Sequence, residues 1–151
     1  MLKYSLLGVL LVAVTVVIHA IGTTGWLRHL AHLFSGAADL HLPSRSLRIL
    51  IGTIVILTVL HTVEIVVWAL AYLYILPPNV LGSFEEATYF SFVTFTTLGY
   101  GDITLTDVWR ILSGIEALNG ILLIGWSTAM VFAVVQRTWK DMLKKGAAKN
   151  N

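Results

Sequence analysis

Residues 49–76 read ILIGTIVILTVLHTVEIVVWALAYLYIL, an apolar run broken by only two ionisable residues, His61 and Glu64. A bilayer core takes about 20 apolar residues as a helix, so this run spans with tilt or extends past the hydrocarbon. Two more stretches meet the same test: Tyr4 to Ile21, with one histidine, and Ile111 to Val135, interrupted by Glu116 and Asn119. The 151 residues are 57% hydrophobic and 12% charged, against about 25% charged in soluble domains. An all-α membrane protein of one domain with three transmembrane helices follows. The chain has no cysteine, which excludes disulfides, thiolate metal sites and cysteine nucleophiles.

The segment between the second and third spans is too short to cross. It opens with Pro77-Pro78-Asn79, a helix stop, and Ser83 then precedes Glu86 by three residues, a capping box. The apolar and hydroxylated stretch after it, Phe84 to Phe95, makes a helix ~18 Å long, which enters the bilayer half-way as a re-entrant segment. Residues 96–102 follow as TTLGYGD. Non-helical backbone at membrane depth is tolerated where it is buried in protein or lines a water-filled cavity. Gly99 and Gly101 take positive φ without penalty, and alternation of hand around Tyr100 turns successive carbonyls to one side. One such strand does nothing alone. Four copies around an axis make rings of oxygen that can replace the water shell of a monovalent cation.

Thr96–Asp102, placed after a half-length helix between two spans, resembles the selectivity-filter signature of potassium channels. The order outer helix, pore helix, filter, inner helix is similar to their small prokaryotic pore-module type, over about residues 49–136, with one extra N-terminal transmembrane helix. The resemblance implies a tetrameric pore in which the carbonyls of Thr97, Leu98, Gly99, Tyr100 and Gly101 coordinate K+, the transported ion, with the Thr97 hydroxyl adding ligands at the innermost site. Leu98 stands where the family most often has valine. Asp102 would sit at the outer mouth and brace the filter against the pore helix. Many members carry two tryptophans where this chain has Tyr89 and Phe90. Tyr89 keeps a hydroxyl for Asp102, Phe90 keeps none, and Thr94 is the expected partner for Tyr100 instead. Val93 occupies a position where one bacterial relative has a glutamate that promotes inactivation, so this filter is expected to inactivate differently.

In the inner helix, Gly120 falls within one residue of the family's gating hinge, and Gly125 is a second candidate. Glycine inside a helix costs ~1 kcal/mol against alanine; a hinge is one reason for it and close helix packing another. Ile121, Ile124 and Thr128 would face the cavity below Thr97.

The organisation read from the sequence is a span over 1–22, an amphipathic linker over 23–48, a pore module over 49–136 (outer helix 49–76, pore helix 84–95, filter 96–102, inner helix 109–136) and a basic tail over 137–151. In the linker, Trp26, Leu27, Leu30, Leu33 and Phe34 recur at helical spacing opposite Arg28, His29 and His32. That pattern fits a helix lying in the membrane interface and fits a connecting helix packed under the pore equally. Pro43 with Ser44 and Ser46 marks a turn and cap before the second span. Arg28, Arg45 and Arg48, with Arg137, Lys140, Lys144, Lys145 and Lys149, put the linker and the C-terminus in the cytoplasm. The 77–110 segment, with only Arg110 against Glu85, Glu86, Asp102 and Asp107, and the N-terminus then lie outside. Lys3 and the small residues near Ala20 also suit a cleaved signal peptide, but cleavage would invert the later spans against these charges, so a retained helix is expected. The basic tail reads as a plain positive-inside tail or as a juxtamembrane contact with anionic lipid.

Glu64 and Glu116 lie inside spans, where ionisable residues mark functional candidates. His61 precedes Glu64 by three on one helix face, and Glu116 shares a face with Asn119. At ~18 Å or less from the outer ends, the two acids are placed to meet between outer and inner helices. They read as a proton sensor, since burial and histidine chemistry bring titration toward neutrality, or as a structural hydrogen-bonded pair.

The resulting reading is a homotetrameric potassium-selective channel of the plasma membrane, multi-pass, in a bacterial inner membrane. It catalyses nothing, uses no organic cofactor and binds no nucleic acid or small-molecule substrate; its partners are copies of itself and lipid. A weakly selective monovalent cation channel and a non-conducting regulatory subunit of a larger channel are the alternatives. No span carries the regular Arg/Lys spacing of a voltage sensor.

Overall fold

The computed structural model of the chain describes residues 2–35, 43–77, 80–106 and 109–149; the side chains of 33–35, 43–45 and 141–149 are outside that description. Pro78, Asn79 and Asp107 therefore lie outside the described residues, as do the side chains of Leu33, Phe34, Ser44, Arg45, Lys144, Lys145 and Lys149. The described residues form four helices and no strand: α1 (Leu2–Ser35), α2 (Pro43–Ile75), α3 (Phe84–Phe95) and α4 (Arg110–Lys149). α1, α2 and α4 are long and apolar enough to cross a membrane. Helices are the open-ended structures that satisfy every backbone group internally in lipid. The hydroxyls within them are satisfied in the same way, by bonding back to carbonyls one turn earlier: Thr15 to Leu11, Thr23 to His19, Thr53 to Ile49 and Thr138 to Val134.

The three spanning helices run longer than the sequence predicts. α1 has 34 residues, or ~51 Å, and passes through Gly22 without a break. The expected separate linker helix is the last turns of α1. Two of its apolar residues face protein: the Trp26 indole donates to Thr53 Oγ1 at 3.0 Å, and Leu30 is buried against Ile49 and Val134. Leu27, on the same stretch, is 49% exposed. α2 begins at Pro43 rather than Ile49; proline is favoured in the first helical turn, where its missing N–H costs nothing. α4 continues past Gln136 to Lys149, so the basic tail prolongs the inner helix as far as it is described.

α1 lies against both α2 and α4. Tyr4 at its start meets Trp109 just before α4, with ring centroids 4.4 Å apart, while Leu30 near its end meets Val134. It is thus parallel to α4 and antiparallel to α2. Small residues let it dock closely: a Cβ at Gly22 would sit 2.4 Å from the Leu60 side chain. The main core joins Ile65, Trp68, Ala69 and Tyr72 of α2, Ala87, Phe90 and Phe95 of α3, and Leu112 and Leu123 of α4. α3, half the length of a span, is thereby wedged between α2 and α4.

Candidate ion-conducting loop and the buried polar clusters around it

α3 is held at both ends by short-range bonds. Ser83 is its N-cap, with extended backbone, and its Oγ accepts from Glu86 N at 3.1 Å; the Glu86 carboxylate accepts from Gly82 N at 2.7 Å. At the other end Thr97 N donates to Thr94 O at 2.9 Å and Gly99 N to Val93 O at 3.2 Å. These two bonds turn the chain back on the helix, and the backbone then leaves as an alternating ribbon. Thr97, Gly99 and Gly101 have φ of 58°, 61° and 79°, and among the described non-glycine residues Thr97 alone has positive φ. Every second residue from 97 to 101 is therefore left-handed. Thr97 is the member of this set that sequence reasoning missed, because a β-branched residue rarely takes such a conformation.

The flank of the loop is held by Tyr89, whose hydroxyl donates to Asp102 Oδ2 at 2.7 Å. That bond keeps the Asp102 carboxyl below its ordinary range and raises the Tyr89 phenol above its own. Phe90 turns inward to an edge contact with Tyr72 at 5.3 Å. The expected bond from Thr94 to Tyr100 is not made within the chain. Tyr100 is 68% exposed, and its ring stands out from the chain. Beside the loop is an open recess of about 610 Å³, walled by Val93, Thr94, Thr97 and Gly101 on one side and Arg110 and Gly114 on the other.

On α4, Ile121, Ile124 and Thr128 are all exposed along one face, as is Gly125, which has no atom within 4 Å of a would-be Cβ. Gly120 differs. It is buried, and its close neighbour is the backbone of Phe95 at the end of α3. Close packing, one of the two reasons read from the sequence, is what surrounds this glycine.

The two buried acids do not meet. Glu116 is completely buried and accepts from Tyr72 Oη at 2.6 Å and from Ser91 Oγ, so it joins α4 to α2 and α3. Its expected face-mate Asn119 turns instead to α1, donating to Thr15 Oγ1 at 2.7 Å. Glu64 is bound by two histidines, His61 Nδ1 at 2.9 Å and His19 Nδ1 at 2.8 Å. The paired carboxylates expected between outer and inner helices are thus two clusters with separate partners. His19, Tyr72, Ser91 and Ser127 were not singled out from the sequence. An ionisable residue inside an apolar span was signal enough for His19; nothing in the local pattern marks the other three.

A scan against protein families matches residues 59–137 to a family described as ion channel. The chain belongs to this ion channel family. Searches of curated proteins and of solved structures return no match. The matched region takes in the second half of α2, all of α3, the loop and α4 to Arg137, so the alternating ribbon at 97–101 lies within the channel unit. The three spanning helices make the channel a multi-pass membrane protein.

Proposed function

We propose that this channel is a potassium-selective pore built from four copies of the chain, with K+ passing the carbonyls of Thr97, Leu98, Gly99, Tyr100 and Gly101. The observation that carries the reading is the left-handed backbone at 97, 99 and 101 directly after a helix that ends half-way. Alternating hand aims successive carbonyls the same way, and rings of carbonyls are the chemistry that replaces the hydration shell of K+. The Thr97 hydroxyl adds an oxygen at the inner end. The C-terminus of α3 points its partial negative charge at the cavity beneath, which Ile121, Ile124 and Thr128 line. Exposure of Leu98 (55%) and Tyr100 (68%), together with the open recess beside the loop, supports assembly, since a second copy gives these side chains somewhere to pack. Asp102 and Tyr89 brace the outer mouth.

The distribution of Lys and Arg supports an orientation with the loop and the N-terminus outside and the C-terminus in the cytoplasm, in a plasma membrane such as the bacterial inner membrane. The basic end of α4 then meets the anionic inner leaflet.

Reconstitution into liposomes tests the proposal. K+ flux is expected to exceed Na+ flux by roughly tenfold or more. Equal fluxes would favour the weakly selective reading. A chain that forms no tetramer and passes neither ion would favour a regulatory subunit.

A further inference from the structure

Three spanning helices place four polar side chains in one closed ring at the level where α3 ends. Glu64 of α2 receives His19 Nδ1 of α1 and His61 Nδ1 of its own helix on its two oxygens. On the far side of the two imidazoles stands Ser127 of α4, whose Oγ is 2.9 Å from His61 Nε2 and 3.4 Å from His19 Nε2. The two imidazoles are stacked with centroids 5.3 Å apart. The side chains of His19 and Glu64 are fully buried and that of His61 is 18% exposed. One ligand atom from each of the three lies within 4.8 Å of the others.

With both imidazoles neutral the hydrogen bonds of this ring cannot all be made; a second ring proton on one imidazole, or a bound metal ion, would complete them. An ionised carboxylate only accepts, so both Nδ1 atoms must carry hydrogen; in a neutral imidazole the other nitrogen then accepts. Two Nε2 acceptors face Ser127, which has one hydroxyl proton. One acceptor is left unserved, and a buried unserved acceptor costs about 1–3 kcal/mol. A metal ion at the Nδ1 side reverses the account. It takes the Nδ1 lone pairs, moves both ring protons to Nε2, and sets both against Ser127 Oγ, which has two lone pairs to receive them. A ligating histidine characteristically donates its other N–H to such an acceptor, which fixes tautomer and ring orientation.

We infer that His19, His61 and Glu64 bind a divalent transition-metal ion of the Zn2+ class, with Ser127 holding both histidines in the ligating tautomer. Two imidazoles and a carboxylate suit that class. Metal–ligand bonds of about 2.0–2.2 Å require only a slight opening of the present spacings. The fourth position falls to a water reached past His61; zinc-bound water loses a proton near neutrality, and the resulting hydroxide cancels the one positive charge that Glu64 leaves. The ion clasps α1 to α2 and, through Ser127, to α4. It also sits beside the pore helix, because the His61 and Phe95 ring centroids are 5.9 Å apart. This site does not depend on K+ selectivity.

The test uses the full-length protein in detergent, stripped with a chelator and titrated with zinc chloride against a chromophoric competitor. Saturable binding of one ion per chain is expected, weakened roughly 100-fold by His19→Gln, His61→Gln or Glu64→Gln, and roughly tenfold by Ser127→Ala. Cobalt loading should give the visible absorption of a four-coordinate N/O site, absent in His19→Gln. Joint replacement of His29, His32 and His41 by glutamine should change nothing. Absence of saturable binding, or binding lost with the triple variant, overturns the site. Ser127→Ala retains all three ligands, so if the ligand variants fail to fold, an unchanged zinc affinity in Ser127→Ala overturns it as well.

Discussion

Gly120 lies so close to Phe95 that a Cβ on it would fall 1.9 Å from the Phe95 carbonyl oxygen and 2.7 Å from its carbonyl carbon. The obstacle is backbone, and it belongs to the last residue of α3, so no rotamer change relieves it. Gly120→Ala is expected to cost about 3 kcal/mol or more, at the upper end of overpacking effects. Gly125→Ala meets nothing in the chain and is expected to be neutral or stabilising by up to ~1 kcal/mol through helix propensity. Thermal unfolding of the two variants in detergent checks the contrast. A hinge function at Gly125 would appear instead as a changed open probability in single-channel recordings at unchanged stability.

The bond between Tyr89 and Asp102 should set how long the loop holds its shape. Tyr89→Phe and Asp102→Ala are each expected to speed the decay of current during prolonged opening, by a similar factor, and to do no further harm when combined. Current records at constant driving force give the decay rates. The pH dependence follows from the two shifts. Asp102 is held below its ordinary 3.8, chiefly by the Tyr89 hydroxyl, so its contribution is present above that value and is lost as pH falls through the lowered one. Tyr89 is raised above 10.0, chiefly by Asp102, so its contribution is present below that value and lost as pH rises through the raised one. The bond is expected to be indifferent to pH anywhere between.

If the proposed K+ selectivity holds, Gly99→Ala is expected to remove the preference for K+ over Na+. Left-handed backbone costs an ordinary residue roughly 1–2 kcal/mol, which is enough to favour rotation of the peptide plane and take a carbonyl off the axis. Reversal potentials under bi-ionic conditions report the loss directly.

Tyr72→Phe takes a hydrogen-bond donor from the buried Glu116 and should destabilise the protein by about 1–3 kcal/mol. Ser91→Ala should do the same, while Glu116→Gln keeps an acceptor at the site and should cost less. Melting temperatures of the three variants in one detergent test the ranking.

The four-helix plan was legible because its signals are local. An apolar run of membrane length declares a span, and Ser83 with Glu86 fixes where a short helix begins. Gly99 and Gly101 declared the left-handed backbone in advance, whereas Thr97 did not, because its conformation is imposed by its bond to Thr94 O and by the turn-back at Gly99. The ends of α1 and α4 were misjudged for a related reason. Residues such as Trp26 and Leu30 look amphipathic in isolation, and only the docking of α1 on α2 and α4 shows that protein covers them. Glu64 and Glu116 were legible as buried acids, but their partners sit 45 and 44 residues away on other helices. Local spacing carries no information about such pairs. It showed His61 beside Glu64 and gave no sign that His19 joins them.

Because α1 follows α4 from Tyr4 near Trp109 to Leu30 near Val134, the inner helix cannot tilt as a lone rod. An outward swing at the Val134 end must carry the far half of α1 with it or break their contact. Either course changes the area that the chain occupies in the plane of the bilayer. Lateral pressure in the surrounding lipid does mechanical work against that change, so membrane thickness and stretch enter the free energy of any such swing directly.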